Sequence, residues 1–438
     1  MIELDIETKR KKPALTQDDD VFRLLILADF GASDLGRPVL VDRDNIEDIL
    51  DKWQVSAEVP LAGKIPFRTL DDFHPDELYR RLNLFHSLRE ARERLEDPET
   101  YRQAAHQLFN PPTAQATMEI LEPVSLLDQI ADQADGGTGA TADPFTEYLR
   151  KLVAPYTVPK PDPKLPAMLA EVDDAVAGNM RAILHNPNFQ TVEAAWRALD
   201  LLVRSVETGV ELKIYIMHLP QNLFCGDAVR AKSLKETVLH SILSSMQWNY
   251  VFGAYTFGDS ELDVEVLGRT ALLASHFETT FISAATPDFE KWEEPSAGLA
   301  ELKRLTEIGH VGLTLPRWII RMPYGKQSNS IDAFEFEEMD KTPKHEHYSW
   351  ANPAFACALL LAEERATGEE SLNIHNLPAH SYKEGGETVT KPCAEFLMTQ
   401  RMGEQLTELG FMPLISMKGQ DWIRLGGFRA LNGAGLLD

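Results

Sequence analysis

The 438-residue chain has few cysteines and a shortage of positive charge. Cys225, Cys357 and Cys393 are far apart and form no CxxC pair, so we expect neither a disulfide framework nor a thiolate zinc site. Asp and Glu number 68 against 43 Lys and Arg, which gives a formal net charge of -25. Because nucleic-acid binding needs a basic face, this balance argues against a nucleic-acid-binding protein.

Long apolar runs are also missing. No uninterrupted run approaches the roughly 18 residues that a membrane span needs. The N-terminal stretch 1–12 has no apolar core of the kind found in secretory signals. With 44% hydrophobic and 25% charged residues, the composition is that of a globular protein, and we expect it in the cytoplasm with reduced thiols and no membrane insertion.

Familiar catalytic signatures are absent as well. The sequence contains no P-loop and no GxGxxG, GxSxG or HExxH motif. His345 and His347 stand two residues apart and could share a metal from one face of a strand. No third residue able to bind the metal follows at a spacing typical of metal sites. A surface loop is the better interpretation, so we expect no catalytic residue, no cofactor and no metal.

What the sequence does contain is an alternation of strand and helix patterns. A continuous apolar run at 22–30 predicts a buried strand. Further strands are predicted at 212–219, 250–255, 281–285, 311–315 and 412–416, with helical periodicity between most of them. Asn186 and Pro187 predict a helix start, and Gly209 is placed to end that helix in the left-handed conformation. The fold class is therefore α/β, with layered mixed sheets and flanking helices.

The region 111–165 has the composition of a linker, because it is rich in Pro, Gly and Thr. It divides the chain into a first module over 1–110 and a second over 166–438. Two short amphipathic helices are predicted inside the linker, at 124–134 and 145–153. In the first of them Leu126, Leu127 and Ile130 share a face and Asp128 lies elsewhere. Such a helix is either docked on the body of the protein or held out for recognition.

In two segments of the first module, the spacing of the apolar residues places them on one face of a strand or helix. Ile2, Leu4 and Ile6 alternate with acidic residues, as in a half-exposed strand. Pro75 predicts a helix start, and one apolar stripe at helical spacing follows it. We expect this stripe to pack against the second module, through Leu78, Leu82, Phe85 and Leu88.

Several passages of the second module resemble the large subunit of the type VI secretion contractile sheath (TssC, also VipB). The longest covers 183–217, with Asn186, Pro187, Phe189, Gln190, Glu193, Trp196 and Arg197 at matching places. "VGLTLPRWIIRMPYG" and "YSWANPAFACALLLAEE" match later passages in the family's order. The resemblance spans about 165 to 428. It implies a sheath-subunit-like fold and a structural role.

The first module resembles a different protein, the small sheath subunit (TssB, also VipA). The similar passages are "FRLLILADF", "RPVLVDRDNIEDIL" and "FRTLDDFHPDELYRRL". The chain therefore reads as a small and a large sheath subunit fused in one polypeptide. It stops short of the region with which large subunits usually end, so a non-polymerising adaptor or cap protein is the alternative, and a soluble enzyme is a third and weaker hypothesis.

The resemblance also implies partners. These are other sheath protomers, the inner tube protein and the baseplate. Sheath subunits exchange strands between protomers, so Ile2, Leu4 and Ile6 would form an inter-protomer strand. In the large-subunit family, a helix like the one at 125–135 is bound by ClpV, an ATP-driven unfoldase. The matching positions here are Leu126, Leu127, Asp128 and Ile130.

This implied recognition helix can be tested with a synthetic peptide of residues 122–136. We expect it to bind the N-terminal domain of the unfoldase in the micromolar range, about -8 kcal/mol, because a short helix offers only a small apolar face. Leu127→Asp should remove this binding without unfolding the full chain. A full chain that unfolds on Leu127→Asp would instead show that the helix is docked on its own body.

Overall fold

The computed structural model describes most of the chain. The described residues are 21–101, 103–105, 164–288, 292–326 and 328–436. Contacts divide the chain into two units, of which the first contains the described parts of two ranges, Met1–Leu82 and Ala177–Asp438. The second is the range Asn83–Val176.

The described residues form fifteen strands and eleven α-helices. The strands are β1 (Phe22–Ala28), β2 (Val39–Val41), β3 (Ser56–Val59), β4 (Gly63–Pro66), β5 (Leu212–His218), β6 (Tyr250–Phe257), β7 (Thr280–Ala285), β8 (Val311–Leu315), β9 (Trp318–Ile319), β10 (Trp350–Ala351), β11 (Asn373–Ile374), β12 (Ser381–Glu384), β13 (Glu387–Thr390), β14 (Phe411–Ser416) and β15 (Ile423–Leu425). The helices are α1 (Ile46–Lys52), α2 (Pro75–Arg81), α3 (Asn83–Glu96), α4 (Leu165–Leu184), α5 (Pro187–Ser205), α6 (Gln221–Arg230), α7 (Val238–Ser245), α8 (Glu261–His276), α9 (Ala297–Leu302), α10 (Ala354–Thr367) and α11 (Gln400–Glu408).

The first unit is built on a nine-stranded mixed sheet of order β11-β15-β14-β8-β7-β6-β1-β5-β2. The six strands from β14 to β5 in this order run parallel to their neighbours. Antiparallel pairing begins at both margins, where β2 joins β5 and β15 joins β14. The sheet order confirms the predicted α/β class, a large mixed sheet with flanking helices.

Strand β1 occupies a central position, although it lies about two hundred residues from its neighbours in the sequence. Leu25 pairs with Tyr215 of β5 on one side and with Val251 of β6 on the other. A parallel strand in this position is covered on both faces, which explains why its sequence is a continuous apolar run rather than an alternating one. The strand predicted at 22–30 is therefore confirmed, and both predicted modules contribute to one sheet.

The two faces of β1 pack against different helices. Leu25 and Leu27 belong to a core cluster that also contains residues of α6, α7 and α8. Leu24 and Ile26 alternate with them and point to the opposite face, where they are also fully buried. Helix α10 lies against β5, β6 and β7 and against α5. The core thus consists of two apolar layers separated by the sheet.

Most of the predicted elements that the structure describes are confirmed. The strands predicted at 212–219, 250–255, 281–285, 311–315 and 412–416 are β5, β6, β7, β8 and β14. Helix α5 begins at Pro187, and the side chain of Asn186 accepts hydrogen bonds from the backbone N–H groups of Asn188 and Phe189. The predicted end at Gly209 is wrong: α5 ends at Ser205, and Val206 follows in an extended conformation.

The helix expected to carry the stripe from Leu78 to Leu88 is also different from the prediction. It begins at Pro75 as expected, but it is interrupted at Leu82, which has extended backbone angles (φ -81, ψ 131). Asn83 then begins α3. Asparagine is a poor residue for a helix interior because its side chain competes for backbone hydrogen bonds. Leu78 therefore lies on α2, while Phe85 and Leu88 lie on α3.

The second unit contains α3 and the first part of α4. Its small core is formed by Leu95, Ala104 and Val172, with Leu88 and Leu169 packed against it. Arg92 of α3 donates a hydrogen bond to Asp173 of α4 at 2.5 Å. No helix in the described ranges is long and apolar enough to cross a membrane.

The central position of β1 predicts unequal effects for two matched truncations. Ile26→Ala should lower the free energy of unfolding by about 2–5 kcal/mol, because it opens a cavity in a fully buried layer. Leu40→Ala on the edge strand β2 removes as many carbon atoms from a side chain that is 41% exposed, and it should cost under about 1 kcal/mol. Urea denaturation would measure both. Equal costs would contradict a central β1.

Candidate functional site

A network of charged side chains lies buried between α5 and the segment that follows β9. The Oε1 atom of Glu193 accepts hydrogen bonds from Arg197 Nε at 2.9 Å and from Arg321 Nε at 2.7 Å. Arg321 also donates from both terminal nitrogens to Glu338, at 2.8 and 2.9 Å. Two carboxylates thus face two guanidinium groups, and the formal charge of the network is zero.

The local structure explains how these groups meet. Glu193 and Arg197 are one turn apart on α5 and therefore share a face. The antiparallel pairing of β9 with β10 brings Ser349 close to this face, and its hydroxyl donates to Glu193 Oε2 at 3.2 Å. Tyr324 closes the other end, because its hydroxyl accepts from Arg197 at 3.0 Å and its backbone N–H donates to Glu338 at 2.7 Å.

The charges of this network depend on one another. Burial by itself would raise the pKa of Glu193, but the guanidinium of Arg321, followed by that of Arg197, outweighs this effect and holds the pKa below its ordinary value. The same carboxylates hold the pKa of Arg321 well above its ordinary value, against the effect of burial. Removing one partner would leave an uncompensated charge in the interior, which is far more costly than losing a surface pair.

A second ion cluster surrounds Glu395, which is almost fully buried. Arg317 donates to both of its carboxylate oxygens, at 3.0 and 2.5 Å, and His345 Nε2 lies 2.8 Å from Oε1. Burial would raise the pKa of Glu395, but the hydrogen bonds from His345 and Arg317 lower it to about 2. Arg317 lies two residues after the end of β8. This cluster therefore connects the sheet to the segment around Glu395.

The two histidines singled out in the sequence have different partners. They form the ends of one 3₁₀ turn, His345–His347. His345 contacts Glu395, whereas the ring of His347 stacks on that of His185, with 3.8 Å between the centroids. In the part of the chain that the structure describes, no group of three or more His, Cys, Asp or Glu side chains is arranged to hold a metal ion.

A cleft of about 370 Å³ lies at the carboxyl ends of β1, β5 and β6. In the order β2-β5-β1-β6-β7, the chain continues from β1 to strands on one side and from β6 to a strand on the other side. Doubly wound α/β proteins commonly bind ligands where the strand order reverses in this way. Asp29 and Gln221 line the cleft from the strand ends, and Arg317, Trp350 and Asn352 line it from the later segments.

The polar side chains of the cleft brace the surrounding backbone. The amide of Gln221 donates to the carbonyl of Thr256 at 2.7 Å and accepts from its N–H at 3.0 Å. Asn352 donates to the carbonyl of Tyr255 at 2.9 Å, and Arg317 is engaged by Glu395. Because these groups are committed to the fold, we assign them a structural role and identify no nucleophile with an adjacent base among the lining residues.

The other site residues predicted from the sequence fall into two groups. Leu78 and Phe85 are buried, whereas Leu82 and Leu88 are half-buried, so their role at an interface between modules stays a prediction. Two further sets lie outside the described residues, as does the linker apart from its last two residues. These sets are the inter-protomer strand (Ile2, Leu4, Ile6) and the unfoldase-recognition helix (Leu126, Leu127, Asp128, Ile130).

Sequence reasoning did not identify the charge network as a site. Two charged residues in apolar surroundings could have indicated it. Arg321 lies inside the largely apolar passage "RWIIRMPYG", and Glu193 lies on the apolar face of α5. A charged residue inside a buried segment needs a partner of opposite charge. The missing information was the partner Glu338, which lies in a loop without helical or strand periodicity.

The network predicts that two carboxylates on the same helix contribute very differently to stability. Glu193→Ala should lower the free energy of unfolding by about 3–5 kcal/mol, because two guanidinium groups lose their buried counter-charge. Asp200→Ala breaks a pair of the same spacing with Arg204, whose side chain is 60% exposed, and should cost about 0.5 kcal/mol or less. Thermal or urea unfolding compares the two. A Glu193→Ala variant as stable as Asp200→Ala would refute the importance of the network.

Comparison with known proteins gives one matching family model and one sequence relative. The family model VipB, described as "EvpB/VC_A0108, tail sheath N-terminal domain", matches residues 166–309 and 297–432. A relative, the type VI secretion system sheath protein TssC1 of Pseudomonas aeruginosa, is 28% identical over 302 residues. That match covers 60% of this chain and 61% of the relative, so the chain spans about three fifths of its length. Because the family model covers more than half of the sequence, the chain belongs to the VipB family of tail sheath proteins.

Proposed function

We propose that the chain is a structural subunit of a contractile sheath of the type VI secretion kind, with small-subunit and large-subunit parts fused in one polypeptide. The family match supports the large-subunit part, because it is to a family of structural tail sheath proteins. The same match makes a structural protein, rather than an enzyme, the function to expect.

The observation that carries the fusion proposal is the position of β1. Strands β5, β6, β7, β8, β14 and β15 all come from the region that matches the sheath family, whereas β1 and β2 precede it. Without β1, the sheet would be divided between β5 and β6, and both strands would expose unpaired edges. The matched region therefore needs residues 22–28, and here the same chain supplies them.

Other contacts reinforce the dependence of the two parts on each other. The indole N–H of Trp196 donates to the carbonyl of Phe30 at 2.9 Å, and the two rings meet edge to face at 5.2 Å. Asn188 donates to the carbonyl of Glu58 at 3.0 Å. In the proposed fusion, a covalent connection makes such an association intramolecular and gives it a high effective concentration.

The proposed partners follow from a sheath role. They are other sheath protomers, the inner tube protein, the baseplate and a ClpV-like unfoldase, all meeting the chain in the cytoplasm. Ile2, Leu4 and Ile6 would form the strand that joins one protomer to the next, because their alternation with acidic residues suits a strand with one exposed face.

Electron microscopy of the chain expressed together with its operon neighbours tests the proposal. We expect tubes, and we expect them to be lost when residues 2–8 are deleted. The melting temperature of the monomer should hardly change on this deletion, because the strand would pair outside its own body. Discrete particles instead of tubes would favour an adaptor or cap protein, and a sharp fall in melting temperature would place the strand in the monomer's own fold.

A further inference from the structure

Two histidines form a stacked pair where α4 gives way to α5. His185 lies between the two helices, and its ring lies over that of His347 with 3.8 Å between centroids and 12° between planes. The Nε2 atom of His185 and the Nδ1 atom of His347 are both buried and have no hydrogen-bond partner among the described residues. The pair is therefore built for two neutral rings, since a charged imidazole needs acceptors for its N–H groups.

The stack is one of several contacts that hold the segment 337–347 against this corner, and the buried ion pair of Glu338 with Arg321 holds the first part of the segment independently of the stack. Arg181 of α4 donates to the carbonyl of Glu337 at 2.9 Å, and Gln190 of α5 donates to the carbonyl of Glu346 at 3.1 Å. These two contacts lie at the ends of the segment. The histidine stack lies beside the second of them and supplies an apolar contact there.

The charges around His185 oppose its protonation. Arg321, Arg181 and Lys344 are positive neighbours, and a proton on His347 would add a further like charge. The carboxylate of Glu338 lies 3.7 Å from His185 Nε2, but its oxygens already accept hydrogen bonds from Arg321 and from the backbone of Tyr324. Burial is the largest effect, and together with these charges it lowers the pKa of His185 to about 3.

We propose that the stacked pair His185–His347 is an acid-sensitive latch, which holds the segment 344–347 on the corner between α4 and α5 at neutral pH and releases it in acid, while Glu338 stays paired with Arg321. Protonation of His185 places a charge on a half-buried ring beside Arg321, with no acceptor within hydrogen-bond distance of its Nε2 atom. Opening the segment brings the ring of His185 into water, where it takes up a proton freely. The open state is therefore favoured as the pH falls.

The direction of the effect follows from linkage. In the open state His185 titrates near its ordinary pKa of 6.5, and in the closed state near 3. Both states are neutral above pH 6.5, so the latch has its full strength there. Between these two values only the open state binds the proton, and the closed state loses stability as the pH falls. At pH 5 the opening equilibrium should have shifted by about 30-fold relative to pH 7.5.

Hydrogen exchange measured by mass spectrometry on the full chain tests the latch, with rates corrected for the intrinsic effect of pH. Protection of the segment 344–347 should fall by about 30-fold between pH 7.5 and pH 5. His185→Phe keeps an aromatic ring in the stack but cannot bind a proton, so it should lose much less protection. His375→Gln removes an exposed histidine of the same unit and should behave like the wild type.

Two results would overturn the proposal. One is equal protection of the segment at pH 7.5 and pH 5 in the wild type, which needs no variant to interpret. The other is a His185→Phe chain that folds and loses as much protection as the wild type. If His185→Phe does not fold, His185→Leu replaces it, because it also fills the place of the ring with an apolar side chain that cannot bind a proton, and the same outcomes apply.

Discussion

The buried guanidinium of Arg321 determines how helix α5 and the loop after β9 pack together in the first unit. A single positive charge in the interior must be balanced, and here Glu193 and Glu338 balance it from two different elements. Glu193 then needs Arg197, and Arg197 needs Tyr324. The helix α5 and the loop after β9 are therefore held in one relative position by charge, because any other packing would leave an ion unpaired.

Polar and charged side chains of the first unit hold its own backbone in place. In the cleft at the carboxyl ends of β1, β5 and β6, Gln221 and Asn352 are bonded to backbone, and Arg317 is bonded to Glu395. The segments around the cleft are therefore fixed by residues that also line it.

The sequence was most informative where periodicity and burial agree. The run at 22–30 was identifiable as a buried strand because parallel strands are apolar on both faces, and Asn186-Pro187 marked the start of α5 through capping chemistry. It was least informative where the conformation of one residue decides whether a helix continues or ends. The break at Leu82 splits an uninterrupted helical pattern, and α5 ends at Ser205, well before the glycine at 209. The charge network was invisible for a related reason, since Glu338 belongs to a loop and its meeting with Arg321 is a property of tertiary structure.

The insertion of β1 between β5 and β6 also has a consequence during synthesis. β1 leaves the ribosome long before β6, the neighbour that is synthesised later. At about 5–20 residues per second, some 10–45 s pass between the synthesis of residue 28 and that of residue 250. In that interval a largely apolar strand has at least one unpaired edge, and such a segment is prone to pair with other nascent chains. The yield of folded protein should therefore depend on how well β1 is shielded while the rest of the chain is translated.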